Sequence, residues 1–454
     1  MAEETTSETS SKPSSSSSLL TRFAAIAVIA LLVGAAVGYL VASSQLSPQL
    51  KGLQDQVSTL QTQANNLTST VNALKAKYET VKEYTIGGAL GLSGDLAPIG
   101  QVLKEVVTWA VKDLNQQLAD QGIKIKFNTV IADTKTNPTE ALKAVQTLAA
   151  AGVRVIVGPL ASSEIAAVKA YADENKIVIV SPSSTAASLA IPGDFIFRDV
   201  FSDVAQAAAL ASLAKSLKLT KVVVFHRDDP YGIGLAQFFK KDFEALGGKV
   251  TTLKYATGLA DYASDVAALS STVKSFGADA VLSVTFDTDG VNILTHAKDD
   301  ATLRTITLLT SEGIHGTPQL KEPAIAAYLQ LVKYIGTRPT PAANPLADTL
   351  LEAFKQRMKT ETGRDYTVFS EYIYDAVFLV GRAIVAAGKY DGAAIAQWLP
   401  KVGANYFGLT GWCIFDENGD RPSQGYAIWT IAPTDGAYDF KDIGSYAAGT
   451  ITWG

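Results

Sequence analysis

Five short runs of apolar, mostly β-branched residues recur through the middle of the chain: Val153–Gly158 (VRVIVG), Lys176–Ser181 (KIVIVS), Lys221–His226 (KVVVFH), Lys249–Tyr255 (KVTTLKY) and Asp279–Val284 (DAVLSV). Runs of this kind read as strands, and those with no polar alternation as strands buried on both faces. Stretches of helical period separate them, which predicts βαβ units and parallel sheets. Two such series, before and after residues 199–202, predict two similar α/β lobes. The connecting helices carry end signals. Around residues 137–152, Asn137 stands as N-cap, Pro138 at the first position, Glu140 in the first turn and Gly152 beyond the end. From Asn344 to Leu399 the pattern is mostly helical, and Gly408–Ile431 reads as short strands with Asn/Asp-Gly turns.

The remaining composition narrows the function. The chain has 454 residues, 47% of them hydrophobic, ample for two lobes plus extra segments. Its 39 basic and 44 acidic side chains give a net charge of −5, so no basic field recruits nucleic acid. A single cysteine, Cys413, excludes an intramolecular disulfide framework and a multi-thiolate metal site. The three histidines, His226, His296 and His315, form no HExxH pair, so neither metal nor cofactor is expected.

The N-terminal portion has a different character. Residues 1–22 form a Ser/Thr-rich leader too polar to build a core and are expected to be disordered. Residues 23–43 carry no charge and, at about 1.5 Å per residue, make roughly 30 Å of helix, the span of a bilayer. A single-pass membrane anchor is expected, with a cleaved secretory signal as the alternative. Lys12 and Arg22 precede it, which places the large domain on the extracellular or periplasmic side. Within residues 46–82, Leu50, Leu53, Val57, Leu60, Ala64, Leu67, Val71, Leu74, Tyr78 and Val81 alternate three- and four-residue steps. That heptad seam predicts a coiled-coil stalk and homo-oligomeric association through it, with packing of the stripe on the chain itself as the alternative. Asn66-Leu67-Thr68 is a glycosylation sequon.

Enzyme signatures fail: there is no GxxxxGK[ST], no GxSxG elbow, and no Ser, His and acid standing as a triad. Polar residues at the tips of the buried runs remain. In VGPLASSE (Val157–Glu164), Ser162 and Ser163 lie at a helix N-terminus that favours an anion, or act as an N-cap. In SPSST (Ser181–Thr185), Ser183 and Thr185 meet a ligand oxygen or close a turn. Glu312 follows the run TITLLT and is suited to a cation unless it is simply solvated, while Tyr231 in HRDDPYGIG is a cleft wall or a core aromatic. Hydroxyls and a helix N-terminus on one lobe, with an acid on the other, suit a zwitterion held between them.

In order and spacing, GLSGDLAPIG, VIVGPLASSE, VIVSPSSTA, FIFRD, VVVFHRDDPYGIGLA and TSEGIHG resemble the type I periplasmic binding proteins of the leucine/isoleucine/valine-binding family, the solute receptors of ABC importers. The resemblance runs from Tyr84 to the C-terminus. It implies two doubly wound α/β lobes joined by three hinge crossovers near Asp199–Ser202, Tyr334–Thr337 and Leu409–Phe415. Lobe 1 then comprises residues 84–201 plus 337–408, and lobe 2 residues 202–336 plus 409–454. By the same resemblance, Ser162, a backbone group of Ser183 and Thr185 take an α-carboxylate, Glu312 takes the α-ammonium, and Tyr231 lines the second lobe. Two positions depart from the family: Ile99 stands where an aromatic wall is common, and Phe286 near a customary tyrosine. The implied function is capture of an amino acid and delivery to an ABC permease, without chemistry. A membrane-tethered sensing ectodomain and a structural cell-surface protein are the alternatives. No cysteine lies just after the apolar segment to carry a lipid, so the protein anchor takes that role.

Overall fold

A computed structural model describes residues 27–33, 47–340 and 344–454 of the chain. The leader 1–22 lies outside the described residues, as does the expected anchor 23–43 apart from the helical residues 27–33. Among the described residues no helix is long and apolar enough to cross a membrane. Two units are present, one ending at Val81 and one running from Lys82 to Gly454. The first contains helix α1 (Ser47–Glu79). Its heptad stripe is exposed: Leu53, Leu60, Leu67, Val71 and Leu74 are 41–63% accessible.

The second unit alternates strand and helix as the sequence period demands. Its first half runs β1 (Lys82–Leu90), α2 (Ala97–Asp120), β2 (Ile125–Asp133), α3 (Pro138–Ala150), β3 (Val155–Val157), α4 (Ser162–Asn175), β4 (Val178–Ser181) and β5 (Ile196–Phe201). The Asn137 side chain caps α3 by accepting from the backbone N–H of Thr139 and Glu140, at 2.9 and 3.1 Å. The second half repeats the scheme with α5 (Asp203–Ser216), β6 (Lys221–Arg227), α6 (Pro230–Ala245), β7 (Lys249–Tyr255), α7 (Ala263–Phe276), β8 (Ala280–Val284), α8 (Asp287–Ala297), β9 (Thr307–Thr310), α9 (Pro323–Leu331) and β10 (Ile335–Pro339). Helices α10 (Pro345–Thr362), α11 (Ser370–Ala387) and α12 (Gly392–Gly403) follow. Short strands β11 (Phe407–Gly408), β12 (Gly411–Trp412) and β13 (Asp420–Arg421) precede the longer β14 (Tyr426–Thr434), β15 (Ala437–Ala447) and β16 (Thr450–Trp453).

The strands form two principal sheets. The first is ordered β13-β5-β4-β3-β1-β2 with parallel neighbours throughout. The second is ordered β16-β15-β14-β10-β9-β8-β6-β7, parallel from β10 to β7 and antiparallel beyond. Both contain the same doubly wound order, 2-1-3-4-5 in the first and 7-6-8-9-10 in the second. Helices cover both faces, so β3, β4 and β8 are buried throughout, as their unbroken apolar runs require.

One crossover falls where it was expected and two come later. The first falls at Ser202, between β5 and α5. The second comes later than Tyr334–Thr337, because β10 stays in the second sheet as far as Pro339. The third comes later than Leu409–Phe415, because β13 pairs with β5 and leaves residues 422–425 as the connection to β14. Two buried ion pairs account for this. Arg198 grips Asp420 through two bonds of 2.6 and 2.5 Å, and Arg421 reaches Asp199 at 3.0 Å. These charges hold residues 420–421 against the first lobe. Arg421 and Asp199 have fully buried side chains, and burial pushes the Asp199 carboxyl up to about 7 against the pull of Arg421. Removing one member of such a pair strands the other, at a cost of about 3–5 kcal/mol. Arg421→Met is therefore expected to lower the urea midpoint markedly, and an unchanged midpoint would show that the pair contributes no net stability.

Candidate ligand-binding cleft

In a doubly wound sheet the crevice outside the carboxyl ends of the strands, where strand order reverses, receives ligands. In the first lobe the loops after β1, β3 and β4 supply Leu96, Leu160, Ala161, Ser162 and Ser183 to one wall, joined by Ile99 of α2 and by Val368 and Phe369 before α11. In the second lobe Tyr231 opens α6, Phe286 follows β8, and Glu312 and Gly313 follow β9. These residues enclose about 20 Å³, room for roughly one water. A guest the size of an amino acid does not fit this space as it stands.

On the first lobe the hydroxyls knit the loops together. Ser181 Oγ donates to the Pro159 carbonyl at 2.7 Å and accepts from the Ser184 N–H at 3.1 Å, while Ser183 Oγ donates to the Leu160 carbonyl at 2.9 Å. Ser162 Oγ lies 3.0 Å from Ser184 Oγ and accepts from the Ala186 N–H at 3.2 Å. Ser162 is the first helical residue of α4 rather than its cap, a position that falls to Ala161. Glu164, unforeseen in the sequence, accepts from the Ala161 N–H at 3.0 Å. Beneath the loop, Arg198 donates to the Ala186 carbonyl at 2.6 Å, so the Arg198–Asp420 pair braces this wall. Ser163 is half-buried one position further along α4, about 100° around the helix from Ser162, and is not part of the cleft lining. Thr185 is 3% exposed yet behind the lining; its Oγ1 has no hydrogen-bond partner, and its carbonyl accepts from the Asp203 N–H at 2.9 Å.

On the second lobe the polar focus is Glu312, in the short 3-10 turn Glu312–Ile314. Its carboxylate is buried and accepts from the Gln206 side-chain amide, which also donates to Thr337 Oγ1 at 3.2 Å. Burial pushes the Glu312 carboxyl up to about 6, with its own backbone N–H, Gln206 and Tyr231 opposing. Asp203, fully buried at the start of α5 with both carboxylate oxygens unpaired, is raised well above the usual range by burial and by Glu312. The Tyr231 hydroxyl donates to Ser311 Oγ at 2.7 Å, and its ring stacks on Phe286 at 5.4 Å. Arg227 lies 3.9 Å over the other ring's centre, pairs with Asp229 at 2.8 Å and with Asp289, and crosses to Asp95 of the first lobe at 3.1 Å. The Thr288 N–H donates to the Asp95 carbonyl at 3.1 Å, a second bond across the same gap.

Six of the eight sequence candidates thus meet around one space: Ile99, Ser162, Ser183, Tyr231, Phe286 and Glu312. Sequence reasoning missed Phe369, held at φ +71° before α11, and also Gln206, Asp203 and the Arg227–Asp95 bridge. A signal existed for two of them. Asp203 and Gln206 are polar residues at i, i+3 on an otherwise Ala/Leu-rich helix, a buried face that needs a reason for polarity.

Among the described residues the cleft presents polar groups suited to holding a guest and no reactive constellation. Asp199, Asp375 and Cys413 bring donor atoms within 4.8 Å of one another, but these acids are already engaged. Arg421 pairs with Asp199, and Asp375 accepts from Thr410 Oγ1 at 2.6 Å, so the donor set does not fit a metal ion.

Two lobes of matching order that close on a cleft at their strand ends define a type I periplasmic binding protein. Residues 102–434 match the receptor family ligand binding region, and the chain belongs to that family. It is similar to an uncharacterized protein of Methanocaldococcus jannaschii, 26% identical over 81% of this chain and 91% of the relative. It is also similar to the leucine-, isoleucine-, valine-, threonine- and alanine-binding protein of Pseudomonas aeruginosa, 27% identical over 74% of this chain and 87% of that protein. The crystal structure of the leucine-binding protein LivK from Thermotoga maritima superposes with a TM-score of 0.65, at 25% identity, covering 80% of this chain and 99% of that one. The family and these neighbours are binding proteins or receptors, and the chain is a binding protein rather than an enzyme.

Gly313 is required by close approach: a Cβ there would stand 2.4 Å from the Thr285 carbonyl oxygen. Gly313→Ala must displace backbone beside Glu312, and a loss of about 1–3 kcal/mol is expected in urea unfolding. Wild-type stability in that variant would show that the turn yields freely.

Proposed function

We propose that the chain is the extracytoplasmic substrate-binding protein of an ABC importer and that its ligand is an aliphatic amino acid. The observation that carries this reading is the placement of a buried Glu312 across the cleft from Ser162 and the N-terminus of α4. An α-ammonium suits the carboxylate, and an α-carboxylate suits the Ser162 hydroxyl and the N–H groups at the α4 start and at Ser183. Thr185 joins them on this reading once the lobes open and its unpaired hydroxyl turns to the guest. Leu96, Ile99, Leu160, Val368 and Phe369 make the rest of the space apolar, which favours a branched or short aliphatic side chain. The names of the Pseudomonas and Thermotoga relatives point the same way. Residues 23–43 serve as the tether, α1 as the stalk, and the closed form docks on a permease. The alternatives make different forecasts: a sensing ectodomain binds the same guest without a permease, and a surface scaffold binds none.

Titration calorimetry with leucine, isoleucine, valine, threonine and alanine checks the assignment. Glu312→Gln is expected to weaken binding at least about tenfold, or 1.4 kcal/mol. A change within about threefold removes Glu312 from the ammonium site.

The pH dependence has a definite sign. The ammonium contact needs an ionised Glu312, whose carboxyl sits at about 6, so affinity falls as pH drops through 6. About fivefold is expected between pH 6 and pH 5, and the slope disappears in Glu312→Gln.

Without ligand the linkage runs the other way. The carboxyl is raised from its ordinary 4.5 to about 6, so its contribution to folding is fully present below 4.5 and lost as pH rises through 6. At pH 7.5 the ionised, buried group costs about 2 kcal/mol. Glu312→Gln should therefore raise the melting temperature of the ligand-free protein at pH 7.5 and leave it unchanged at pH 4. A lower melting temperature at pH 7.5 would show that Gln206 and Tyr231 already stabilise the anion.

A further inference from the structure

The exposed face of α1 carries an inference independent of what the cleft binds. From Leu50 to Leu74 its apolar residues fall on two heptad positions. One position holds Leu50, Val57, Ala64 and Val71, the other Leu53, Leu60, Leu67 and Leu74. Five of these side chains are 41–63% exposed along a helix of 33 residues, about 50 Å of rise. Leucines left in water at the same position of four successive heptads are a contact surface, because scattered exposed leucines do not keep a seven-residue step.

We propose that α1 pairs with α1 of a second copy of this chain as a parallel, two-stranded coiled coil. The occupant follows from the residues. β-Branched or small side chains at the first position with leucine at the second pack as knobs into holes in a parallel dimer, whereas isoleucine at both positions favours three or four strands. The flanking positions identify the partner as the same sequence. Gln54, Gln56, Gln61, Gln63, Thr68 and Thr70 border the seam, so two identical helices meet there with no like charges between them and with amides that hydrogen-bond one another. A heterotypic partner would instead leave complementary charge at those places, and none stands beside the seam until Lys75 and Lys77 near its end.

The full chain, purified in mild detergent, is tested by light scattering coupled to size exclusion, with Leu60→Glu/Leu67→Glu as the variant. The wild type should show twice the chain mass and the double variant the single chain mass. Circular dichroism reports whether α1 and the α/β unit stay folded in the variant. Orientation is read with a short bismaleimide. Cys413 is fully buried, so an introduced thiol is the one that reacts. Leu53→Cys chains should cross-link to themselves. A monomeric wild type, a mass of three or more chains, or a dimer that survives the double substitution overturns the proposal. So does cross-linking seen only when Leu53→Cys is mixed with Leu74→Cys, the mark of an antiparallel pair.

Discussion

Parallel strands must return across the sheet before pairing again, through an α-helix in every case but β4 to β5, where a short 3-10 turn at Ala187–Leu189 serves. Each lobe therefore delivers its strand-end loops to a single edge of its sheet. The rest of the cleft depends on this constraint. In the first lobe it gathers the loops after β1, β3 and β4, and in the second those after β6, β8 and β9. Tyr231 and Glu312 line one space because β6 and β9 end at the same edge of their sheet, and Phe369 joins them from the segment before α11. The hydroxyls that terminate β4 then have a double task. Ser181 and Ser184 tie neighbouring loops together, and Ser162 and Ser183 line the space between the lobes.

Electrostatics in the interior follows two patterns. Around the crossovers, acids meet arginines: Asp420 with Arg198 and Asp199 with Arg421, as Asp289 and Asp229 meet Arg227 behind Phe286. Beside the cleft, Glu312 and Asp203 are buried without a cation, served by a neutral amide and hydroxyls. The first pattern sets chain topology, and the second leaves a negative pole that folding alone does not reward. A cationic group from outside would complete it. On the proposed reading, the residues that look unfavourable when the protein is considered alone are the ones that select the guest.

The sequence was most legible where one element dictates its own form. The apolar runs at Val155–Val157 and Val178–Ser181 are the strands they promised, and Asn137 caps α3 through its side chain. The heptad step from Leu50 onward does form one long helix. Legibility failed where a distant partner decides. The third crossover was placed too early because nothing local in Asp420-Arg421 reveals that Arg198 and Asp199, 222 residues away, hold that segment on the first lobe. Phe369 escaped notice because its left-handed backbone is imposed by the packing before α11, and aromatic residues give no sign of it. Ser163 and Thr185 resembled Ser162 and Ser183 as residue types, and only the helix phase and the loop path separate them.

The bridge from Arg227 to Asp95 has a kinetic side. With room for little more than a water inside the closed form, a guest cannot reach the inner walls by threading past side chains. Entry and exit both wait for that bridge and the Thr288 contact to separate. On the proposed reading, residence time is governed by a hinge event outside the binding walls.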